Sequence, residues 1–423
     1  MLLRDIAGER ERDRAGGLAD ADAHGREAPR RRRILMLSPF FHPEPISTGR
    51  YNAHLAEHLR DAGAEVSVAC SHPLYPEWVV RETTEDLPDV RTHRGGRFVR
   101  YPRHSMLRRL VLEAWFALHT LRVVASLRSR IDCAVAVFPP SLFWLAVVHL
   151  LPARVRTTGI VHDLQGAYAG RLQSPAARWV RAAVLRVERR AFARCDRLVF
   201  LSAAMRDQAV ADYGLPAARC IVAYPPATLA DSAAANVPGP LAATDVQHVV
   251  YSGALGLKQD PDGLLRLLEQ LARTDLRVRC HVFSRGPVFE RLRARACAGL
   301  VQFHDLVEED QLAGLYERSA VQVVSEMPGA SLGSLPSKLA NILWMGVPVF
   351  CVTDAGSELA ALVEDSGIGV VDSSFRPEQQ LRSLAALLDR SRSWDRAASK
   401  AAVRARLGAR FSFTPVLDAL ETS

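Results

Sequence analysis

The chain has almost no lysine, although it is rich in basic residues. Of its 54 lysines and arginines, only Lys258, Lys338 and Lys400 are lysine, so arginine carries nearly all of the positive charge. An ammonium is a compact point charge, whereas a guanidinium is a planar fork, and the two are not interchangeable at a binding site. The few lysines that remain are therefore the first candidates for specific roles.

The chain also lacks paired cysteines. It contains seven cysteines, but none of them form a CxxC pair. Most lie in apolar runs such as VSVAC and CIVAY, where cysteine behaves as a small core residue. This pattern argues against a disulfide framework or a zinc site and favours reduced thiols in a cytoplasmic protein.

No secretory leader or long hydrophobic run is visible. Residues 1–33 are rich in charged and small residues, and we interpret them as a disordered tail. The most apolar stretch, 134–151, is interrupted by Pro139 and Pro140, and its second half is too short to cross a bilayer. We therefore expect no membrane-spanning helix.

Length and charge limit the remaining possibilities. A chain of 423 residues with 48% hydrophobic and 24% charged residues is typical of a folded protein of two domains. The formal net charge of +8 indicates an anionic partner, which can be nucleic acid, a membrane surface or a phosphorylated ligand. Nucleic acid is the least supported of these, because no known binding motif is present.

Alternating strand and helix patterns predict an α/β fold. RILMLSPFF, RYNAHLAEHLRDAG and AEVSVAC read as strand, helix and strand, which is a βαβ unit. We predict one Rossmann-like domain over 34–225, a proline-rich linker over 226–247 and a second Rossmann-like domain over 248–400, with a cleft between the domains. A helical segment over 401–423 is expected to pack back on the first domain.

One candidate phosphate site lies in the stretch SLGSLPSKLANILWMG. A short helix is predicted to begin here, with Ser337 as its cap and with the backbone N–H groups of Gly333 and Ser334 nearby. A helix N-terminus attracts anions, and Lys338 would add a positive charge at the same end. We therefore predict that Lys338 contacts a phosphate.

The second candidate is the stretch YSGALGLKQDPDG. A strand ends at Gly253, and Gly253 and Gly256 allow the backbone to approach a ligand closely. Lys258 follows in the same loop, and an ordinary solvated lysine is the simple alternative. Because Lys258 and Lys338 both fall in strand-to-helix loops of one domain, we interpret them as a joint phosphate site.

The first domain offers candidates at the ends of its own strands. Thr48 and Gly49, in the loop PISTG, could contact a phosphate or a sugar, although a plain turn is the alternative. His162 and Asp163 end another strand, where such a pair can hold a hydroxyl group or move a proton near neutral pH. A purely structural strand-end histidine remains open.

The loop CSHPLYPEW, after the second strand, is the candidate acceptor site. His72 and Tyr75 resemble the lip of a sugar-binding site, although a packed loop would have the same sequence. Residues 91–130 follow; they are rich in arginine and contain the single acid Glu113. The helix within them suits an anionic membrane surface, with a core helix flanked by solvated arginines as the alternative.

Together these motifs resemble the family-4-type glycosyltransferases of the GT-B fold. SPFFHPEPISTG and LPSK are the more specific matches, and they are closest to the WcaI-like branch of bacterial exopolysaccharide synthesis. The resemblance implies sugar transfer from a nucleotide-sugar donor (UDP-, GDP- or dTDP-linked) with retention, without a metal ion or other cofactor. It places the donor mainly on the second domain and a lipid-linked or saccharide acceptor on the first.

The resemblance also implies roles for individual residues. Lys258 and Lys338 would stabilise the departing diphosphate, Gly49 would approach the donor phosphates, and His162 would contact the donor sugar. The two glutamates usual in the family are absent, since their positions hold Gly333 and Asn341. Asn341 could bind the ribose more weakly in place of the second glutamate.

Two other classes of function compete with a transferase. A nucleotide-sugar epimerase has the same fold but would need further carboxylates in the cleft. A catalytically silent partner of a membrane glycosyltransferase would fit the missing glutamates, but it does not explain the retained lysines or the His162–Asp163 pair.

Overall fold

The strands of the first half form one parallel sheet. The computed structural model describes residues 31–44, 46–75, 77–165, 175–229, 236–330 and 335–421, so the predicted tail lies almost wholly outside the described residues. The strands are β1 (Arg33–Leu37), β2 (Glu65–Ser71), β3 (Val90–Gly95), β4 (Cys133–Phe138), β5 (Arg156–Val161), β6 (Arg197–Phe200) and β7 (Cys220–Val222). Their order is β3-β2-β1-β4-β5-β6-β7, and every neighbouring pair is parallel.

Helices cover both faces of this sheet. They are α1 (Ser47–Asp61), α2 (Ser105–Leu127), α3 (Leu142–Val147), α4 (Pro175–Phe192) and α5 (Ala203–Tyr213). Apolar side chains of α1 pack on one face, and those of the other four helices pack on the opposite face. Strands buried on both faces read as continuous apolar runs, which is why β1, β4 and β6 are recognisable in the sequence.

The second half repeats the architecture. Its strands are β8 (Gln247–Ser252), β9 (Val278–Phe283), β10 (Val301–His304), β11 (Ser319–Ser325), β12 (Val349–Val352) and β13 (Gly369–Asp372), in the order β10-β9-β8-β11-β12-β13. The helices are α6 (Pro261–Ala272), α7 (Pro287–Arg295), α8 (Glu309–Arg318), α9 (Lys338–Trp344), α10 (Glu358–Ser366), α11 (Pro377–Ser391) and α12 (Arg396–Leu407). All strand pairs in this sheet are also parallel.

The last described helix, α13 (Thr414–Glu421), belongs to the core of the first half. Its Val416, Ala419 and Leu420, with the preceding Phe413, are buried among side chains of β1, β2 and α1. By contrast, Val403 and Leu407 of α12 are buried in the core of the second half. The chain therefore crosses from the second half back to the first between these two helices.

The two sheets confirm the predicted fold class, an α/β protein with two Rossmann-like domains. In each sheet the strand order reverses beside the first strand, between β1 and β4 and again between β8 and β11. Ligands of doubly wound sheets bind at the carboxyl ends of the strands at this reversal. These two edges are therefore the places to look for a site.

One helix corrects the expectation that no segment could span a membrane. The stretch Met106–Arg130, which is α2 with its short extension, is long and apolar enough to cross a bilayer by length and composition, and 28% of its apolar window is buried. However, Phe116 and Val124 of α2 lie in the core of the first half. The predicted interruption of 134–151 is confirmed, since β4 ends before Pro139 and a separate helix follows.

The cysteines are free thiols, as expected. All seven are unpaired; Cys297 is exposed and the other six are buried. Burial raises the pKa of thiols such as Cys133 and Cys280, to about 12 in both cases, so they remain protonated at neutral pH. They act as small core residues.

Candidate active site

Lys338 lies at the carboxyl edge of the second sheet, next to the end of β8. Its Nζ donates a hydrogen bond to the carbonyl oxygen of Ser252 at 3.0 Å and lies 3.7 Å from the ring centroid of Tyr251. Burial lowers the pKa of Lys338 to about 7. The side chain is therefore held in place, but its charged form is less stable than that of an exposed lysine. A nearby anion would stabilise the charged form.

Lys258 lies at the same edge, in a short turn that follows β8. Its Nζ is 3.9 Å from Oε1 of Glu326, the residue that directly follows β11. Met327 N–H donates to the carbonyl oxygen of Lys258 at 2.9 Å, which joins the turn to the end of β11. The Lys258 side chain is 20% exposed, so it is partly accessible at this edge.

Both lysines therefore lie at the carboxyl edge of the second sheet, where its strand order reverses. Gly253 ends β8 beside Lys338, and a Cβ added to it would be 3.7 Å from the side chain of Lys338. Gly253 also has a φ of +115°, a conformation that L side chains rarely adopt. That these residues form a joint phosphate site stays a prediction.

The helix end beside Lys338 differs from the prediction. Ser337 occupies the N-cap position of α9, but its backbone is helical and its side chain makes no capping hydrogen bond. Its side chain is exposed at this edge. Gly333 and Ser334 lie outside the described residues, so the anion site that their N–H groups would form stays a prediction.

Asn341, the proposed ribose ligand, contacts the segment that joins the two halves. Its Oδ1 accepts hydrogen bonds from the N–H groups of Thr228 and Leu229, at 2.8 and 3.3 Å, and its Nδ2 donates to Thr228 Oγ1 at 3.1 Å. This use of both amide atoms gives Asn341 a structural task that the sequence did not indicate. Its role as a nucleotide ligand stays a prediction.

His162 ends β5 at the carboxyl edge of the first sheet. Burial lowers the pKa of His162 to about 3, so the ring is neutral at pH 7. Its ring packs edge-on against Tyr51 with centroids 4.7 Å apart, and its Nε2 is buried with no hydrogen-bond partner among the residues that the structure describes. Asp163, beside it, accepts a hydrogen bond from Leu164 N–H at 3.1 Å.

A buried and unpaired imidazole nitrogen is costly unless a ligand satisfies it. Nε2 of His162 is such an atom, and it belongs to the residue that the sequence singled out for contact with the sugar. A neutral imidazole can donate or accept one hydrogen bond there. Proton transfer by this ring at neutral pH is disfavoured by its low pKa.

Thr48 and Gly49 lie in the first turn of α1, beside the reversal of strand order in the first sheet. No side chain caps this end of α1. Gly49 is buried, and a Cβ added to it would lie 2.9 Å from both Cβ and O of Glu44. The glycine is therefore required for the close approach of α1 to the loop that holds Glu44.

Glu44 is a site residue that the sequence did not indicate. Its carboxylate is buried and accepts hydrogen bonds from the N–H groups of Leu74 and Tyr75, both at 2.8 Å. Burial raises the pKa of Glu44, and these two hydrogen bonds oppose the shift. Glu44 thus holds the loop of the predicted acceptor residues His72 and Tyr75 against the start of α1.

The predicted acceptor loop is ordered by its neighbours. His72 Nδ1 accepts a long hydrogen bond from Thr83 N–H, at 3.4 Å, and burial lowers the pKa of His72. Trp78 packs against Tyr101, with ring centroids 5.4 Å apart, and the guanidinium of Arg108 lies 4.3 Å above the Trp78 ring. The loop is therefore attached to the beginning of α2.

Glu358, the first residue of α10, joins the two halves. Its two carboxylate oxygens accept hydrogen bonds from Ala203 N–H at 2.6 Å and Ala204 N–H at 2.8 Å, at the start of α5. A carboxylate at a helix N-terminus is stabilised by unpaired N–H groups and by the helix dipole. This contact holds the carboxyl edges of the two sheets toward each other.

Comparison with known proteins agrees with this geometry. Residues 48–226 match a family model described as a glycosyl transferase 4-like domain. WcaI of Escherichia coli (strain K12), a protein named for glycosyl transfer in colanic acid biosynthesis, is 27% identical over 354 residues, which is 78% of this chain and 86% of WcaI.

Solved structures show the same fold. The sucrose-phosphate synthase from Thermosynechococcus elongatus has a TM-score of 0.65 at 16% identity, with 93% of this chain and 97% of that chain covered. WaaG, a glycosyltransferase involved in lipopolysaccharide biosynthesis, has a TM-score of 0.61 at 16% identity, with 92% and 98% covered.

The chain has the fold of the GT-B glycosyltransferases, and the match of residues 48–226 to a glycosyl transferase 4-like domain supports a glycosyltransferase. The chain is similar to the WcaI-like branch, as the sequence motifs predicted.

Proposed function

We propose that the protein transfers a sugar from a nucleotide-sugar donor to a lipid-linked or saccharide acceptor in the synthesis of a bacterial cell-surface polysaccharide. The observation that carries the proposal is that Lys258 and Lys338 both lie at the carboxyl edge of the second sheet, where its strand order reverses. The name of WcaI and that of WaaG, both tied to polysaccharide or lipopolysaccharide biosynthesis, support the acceptor class.

The donor diphosphate would bind the second half. Two ammonium groups supply the positive charge that a departing nucleoside diphosphate needs, which is the task that a metal ion performs in other transferases. Gly253 lets the backbone come close to the same position. On this basis we propose that transfer proceeds without a metal ion, and the family resemblance adds retention at the anomeric carbon.

The sugar would lie between the two halves, with His162 on the opposite side from the lysines. The unpaired Nε2 of His162 would bond to a sugar hydroxyl, and because the ring is neutral it would not repel or attract the diphosphate. The acceptor would enter past the loop that contains His72 and Tyr75. Asp163 is placed beside His162 and would contact the acceptor or the sugar.

The donor site can be tested by ligand binding. Calorimetry with UDP-, GDP- and dTDP-sugars should show binding of one nucleotide class to the wild type. Lys338→Met and Lys258→Met keep the side-chain stem but remove the charge, and each should weaken binding at least tenfold, about 1.4 kcal/mol. Lys400→Met, which removes the third lysine, should bind as the wild type does.

Three outcomes would contradict parts of this proposal. Absence of binding to any of the donors would favour the silent-partner alternative. Binding that is unaffected by both lysine substitutions would leave a transferase with a different phosphate site. Binding that is abolished by chelation of divalent metal ions would contradict metal independence.

The acceptor side also suggests contact with a membrane at the cytoplasmic face. Met106, Leu107, Leu110 and Leu118 of α2 are between 46% and 59% exposed, and the nearby Phe98 is 83% exposed. The single acid of the helix, Glu113, accepts hydrogen bonds from Ser141 and Leu142 N–H at the start of α3, and so it is turned away from solvent. An apolar surface flanked by arginines suits anionic lipid.

Not every arginine of 91–130 is available for lipid. Arg91, Arg94 and Arg97 form ion pairs with Glu65, Asp86 and Glu82. The protein surface that can contact anionic lipid is therefore smaller than the sequence predicted. The remaining exposed surface adjoins the acceptor loop, because Arg108 of α2 lies over Trp78. A lipid-linked acceptor could therefore reach the cleft from this surface.

Vesicle sedimentation tests this contact. The wild type should bind vesicles that contain phosphatidylglycerol and should not bind pure phosphatidylcholine. The double substitution Leu107→Ser and Leu110→Ser should reduce binding about tenfold, because two exposed apolar side chains are lost. Val237→Ser, an exposed apolar residue of the segment joining the halves, is the matched control, and an equal loss in that variant would contradict the assignment.

A further inference from the structure

One carboxylate at the donor edge has no role in the function described above. Glu326 directly follows β11, is 3% exposed and faces Lys258 across the reversal of strand order. Neither of the glutamates usual in the family falls at this position. We propose that Glu326 is a positioning residue for Lys258, which it holds in place for the diphosphate of the donor; this inference rests on the proposed donor site.

Glu326 is itself firmly fixed. Its Oε2 accepts a hydrogen bond from Thr353 Oγ1 at 3.1 Å, and its backbone N–H donates to the carbonyl of Val352 at 2.9 Å. Both partners belong to the end of β12. The carboxylate is therefore held by a neighbouring strand, and only its other oxygen is directed to Lys258.

The two sides of the reversal are also joined through the backbone. The residue after Glu326 is Met327, and its N–H donates to the carbonyl of Lys258 at 2.9 Å. The turn of Lys258 is thus attached to the end of β11 once by its backbone and once by its side chain. A lysine loses side-chain entropy when a ligand fixes it in one conformation. The existing contacts remove part of that loss before the ligand arrives.

The charges of the pair are suited to this task. Burial raises the pKa of Glu326, and the nearby ammonium of Lys258 lowers it, so the pair stabilises the charged carboxylate. Lys258 is more exposed than Glu326, so part of its side chain is accessible to an anion. Groups that are preorganised in this way stabilise developing charge without reorganisation.

For removal of the Glu326 charge, the proposal predicts a change in anion affinity that is opposite in sign to the change expected from simple electrostatics. A carboxylate near a diphosphate repels it, so removing the charge of a bystander would strengthen anion binding. If Glu326 holds Lys258 in place, removing its charge must instead weaken anion binding. The direction of the change therefore separates a positioning role from a merely structural one.

The experiment measures the affinity of the full-length protein for inorganic pyrophosphate by calorimetry at fixed pH. Glu326→Gln keeps the size of the side chain and an oxygen for Thr353, and we expect it to bind pyrophosphate at least fivefold more weakly. Lys258→Met should bind at least tenfold more weakly. The double variant should bind no more weakly than Lys258→Met alone, because Glu326 acts through Lys258.

Two further variants serve as controls for the role of Glu326. Glu364→Gln removes an exposed carboxylate of the same half and should leave the affinity unchanged. Thr353→Val removes the hydrogen bond that orients Glu326 and should weaken binding two- to fivefold. If Glu326→Gln does not fold, as judged by its thermal transition, Thr353→Val carries the test in its place.

The outcomes separate this inference from the proposed function. Equal or tighter binding by Glu326→Gln, or a double variant weaker than either single one, would overturn the positioning role and leave the donor site intact. Failure of the wild type to bind pyrophosphate and every nucleotide sugar would overturn the donor site and this inference with it.

Discussion

The two sheets have the same strand order but opposite chemistry at their carboxyl edges. The edge of the second sheet carries two ammonium groups, Lys258 and Lys338, with the carboxylate of Glu326 between strands β8 and β12. The edge of the first sheet carries the neutral ring of His162, and its nearby carboxylate, Glu44, is bonded to backbone N–H groups. One edge concentrates charge, and the other has its polar groups either neutral or bonded within the protein.

This difference indicates what the repeated architecture provides and what it leaves to individual residues. Topology places a crevice at the reversal of strand order in both halves. The side chains there decide which part of a ligand each half can hold. A charged diphosphate suits the second edge, and an uncharged sugar with its acceptor suits the first.

The largest expected effect comes from the uncharged edge. His162→Phe keeps the ring volume beside Tyr51 but removes both nitrogens, and we expect sugar transfer to fall about 100- to 1000-fold, the usual effect of losing one bond made in a buried site. The measurement is the steady-state rate of transfer at saturating donor. Affinity for the donor diphosphate should change little, because the ring carries no charge.

The contrast between the charged and the uncharged edge would be contradicted if His162→Phe lost as much diphosphate affinity as the lysine variants do. His54→Phe, on the same half, is the matched control, since this histidine lies on α1 and pairs with Glu57. It should retain transfer activity.

The charged edge should show a dependence on pH. The pKa of Lys338 is about 7 in the free protein, and a bound diphosphate will raise it, so binding takes up a proton. Donor affinity should be highest below pH 7 and should fall by up to about tenfold per pH unit above it. Calorimetry with a nucleotide sugar, whose diphosphate keeps its charge in this range, measures the effect.

Lys338→Arg supplies the control for this prediction. A guanidinium stays charged at all pH values used, so any affinity that remains in this variant should be independent of pH between 7 and 9. A wild-type affinity that is equally flat would show that Lys338 does not titrate with the ligand.

A smaller effect is expected from Glu44. The carboxylate of Glu44 accepts from two N–H groups. In Glu44→Gln, only the amide oxygen can accept, and the amide NH2 group would face the second N–H as another donor. The loop of His72 and Tyr75 should loosen, and the KM for the acceptor should rise about tenfold. The KM for the donor should stay within twofold, and an equal change in both constants would place Glu44 elsewhere in the mechanism.

A separate effect concerns stability in acid. Burial lowers the pKa of His162 and of His281 to about 3, whereas an unfolded histidine titrates near 6.5. Below pH 6.5 the unfolded chain therefore binds protons that the folded protein does not. The free energy of unfolding should fall as pH decreases toward 3, by up to about 1.4 kcal/mol per pH unit for each histidine.

His281 belongs to a chain of three imidazoles. Its Nε2 lies 2.9 Å from His248 Nδ1, and its Nδ1 lies 3.1 Å from His304 Nε2, while Arg279 and Arg318 lie near the same rings. Urea unfolding at pH 7, 6 and 5 measures the slope. His162→Phe should reduce the slope, and an unchanged slope would show that this ring is not protonated on unfolding.

The sequence predicted the fold well wherever a strand is buried on both faces. β1 (RILML) is buried over its last four residues and was recognised, whereas β3 (VRTHRG) was missed. β3 lies at the edge of its sheet and only Val90 is buried, so its polar residues read as part of an arginine-rich loop. Edge strands leave a weaker pattern in the sequence than central ones.

The site was only partly predictable, because several of its contacts join residues far apart in sequence. Lys258, Lys338 and Gly253 could be singled out, because they fall in the loops that lead from a strand to a helix in the second half. Glu44 was missed because its partners are backbone N–H groups about 30 positions away, which have no sequence signature. Glu326 had no sequence signature either, because it stands at neither position of the family glutamates, although the fold places it beside Lys258.

The return of α13 to the first half affects the order in which the protein can fold during synthesis. Phe413, Val416, Ala419 and Leu420 complete a core whose strands lie within residues 33–222, yet they are translated after the whole second half. During synthesis, the first half therefore keeps an apolar face uncovered until the segment beyond residue 412 leaves the ribosome. A nascent chain released before that point would expose this face to chaperones and proteases. Incomplete chains would therefore be degraded before they could bind donor or acceptor.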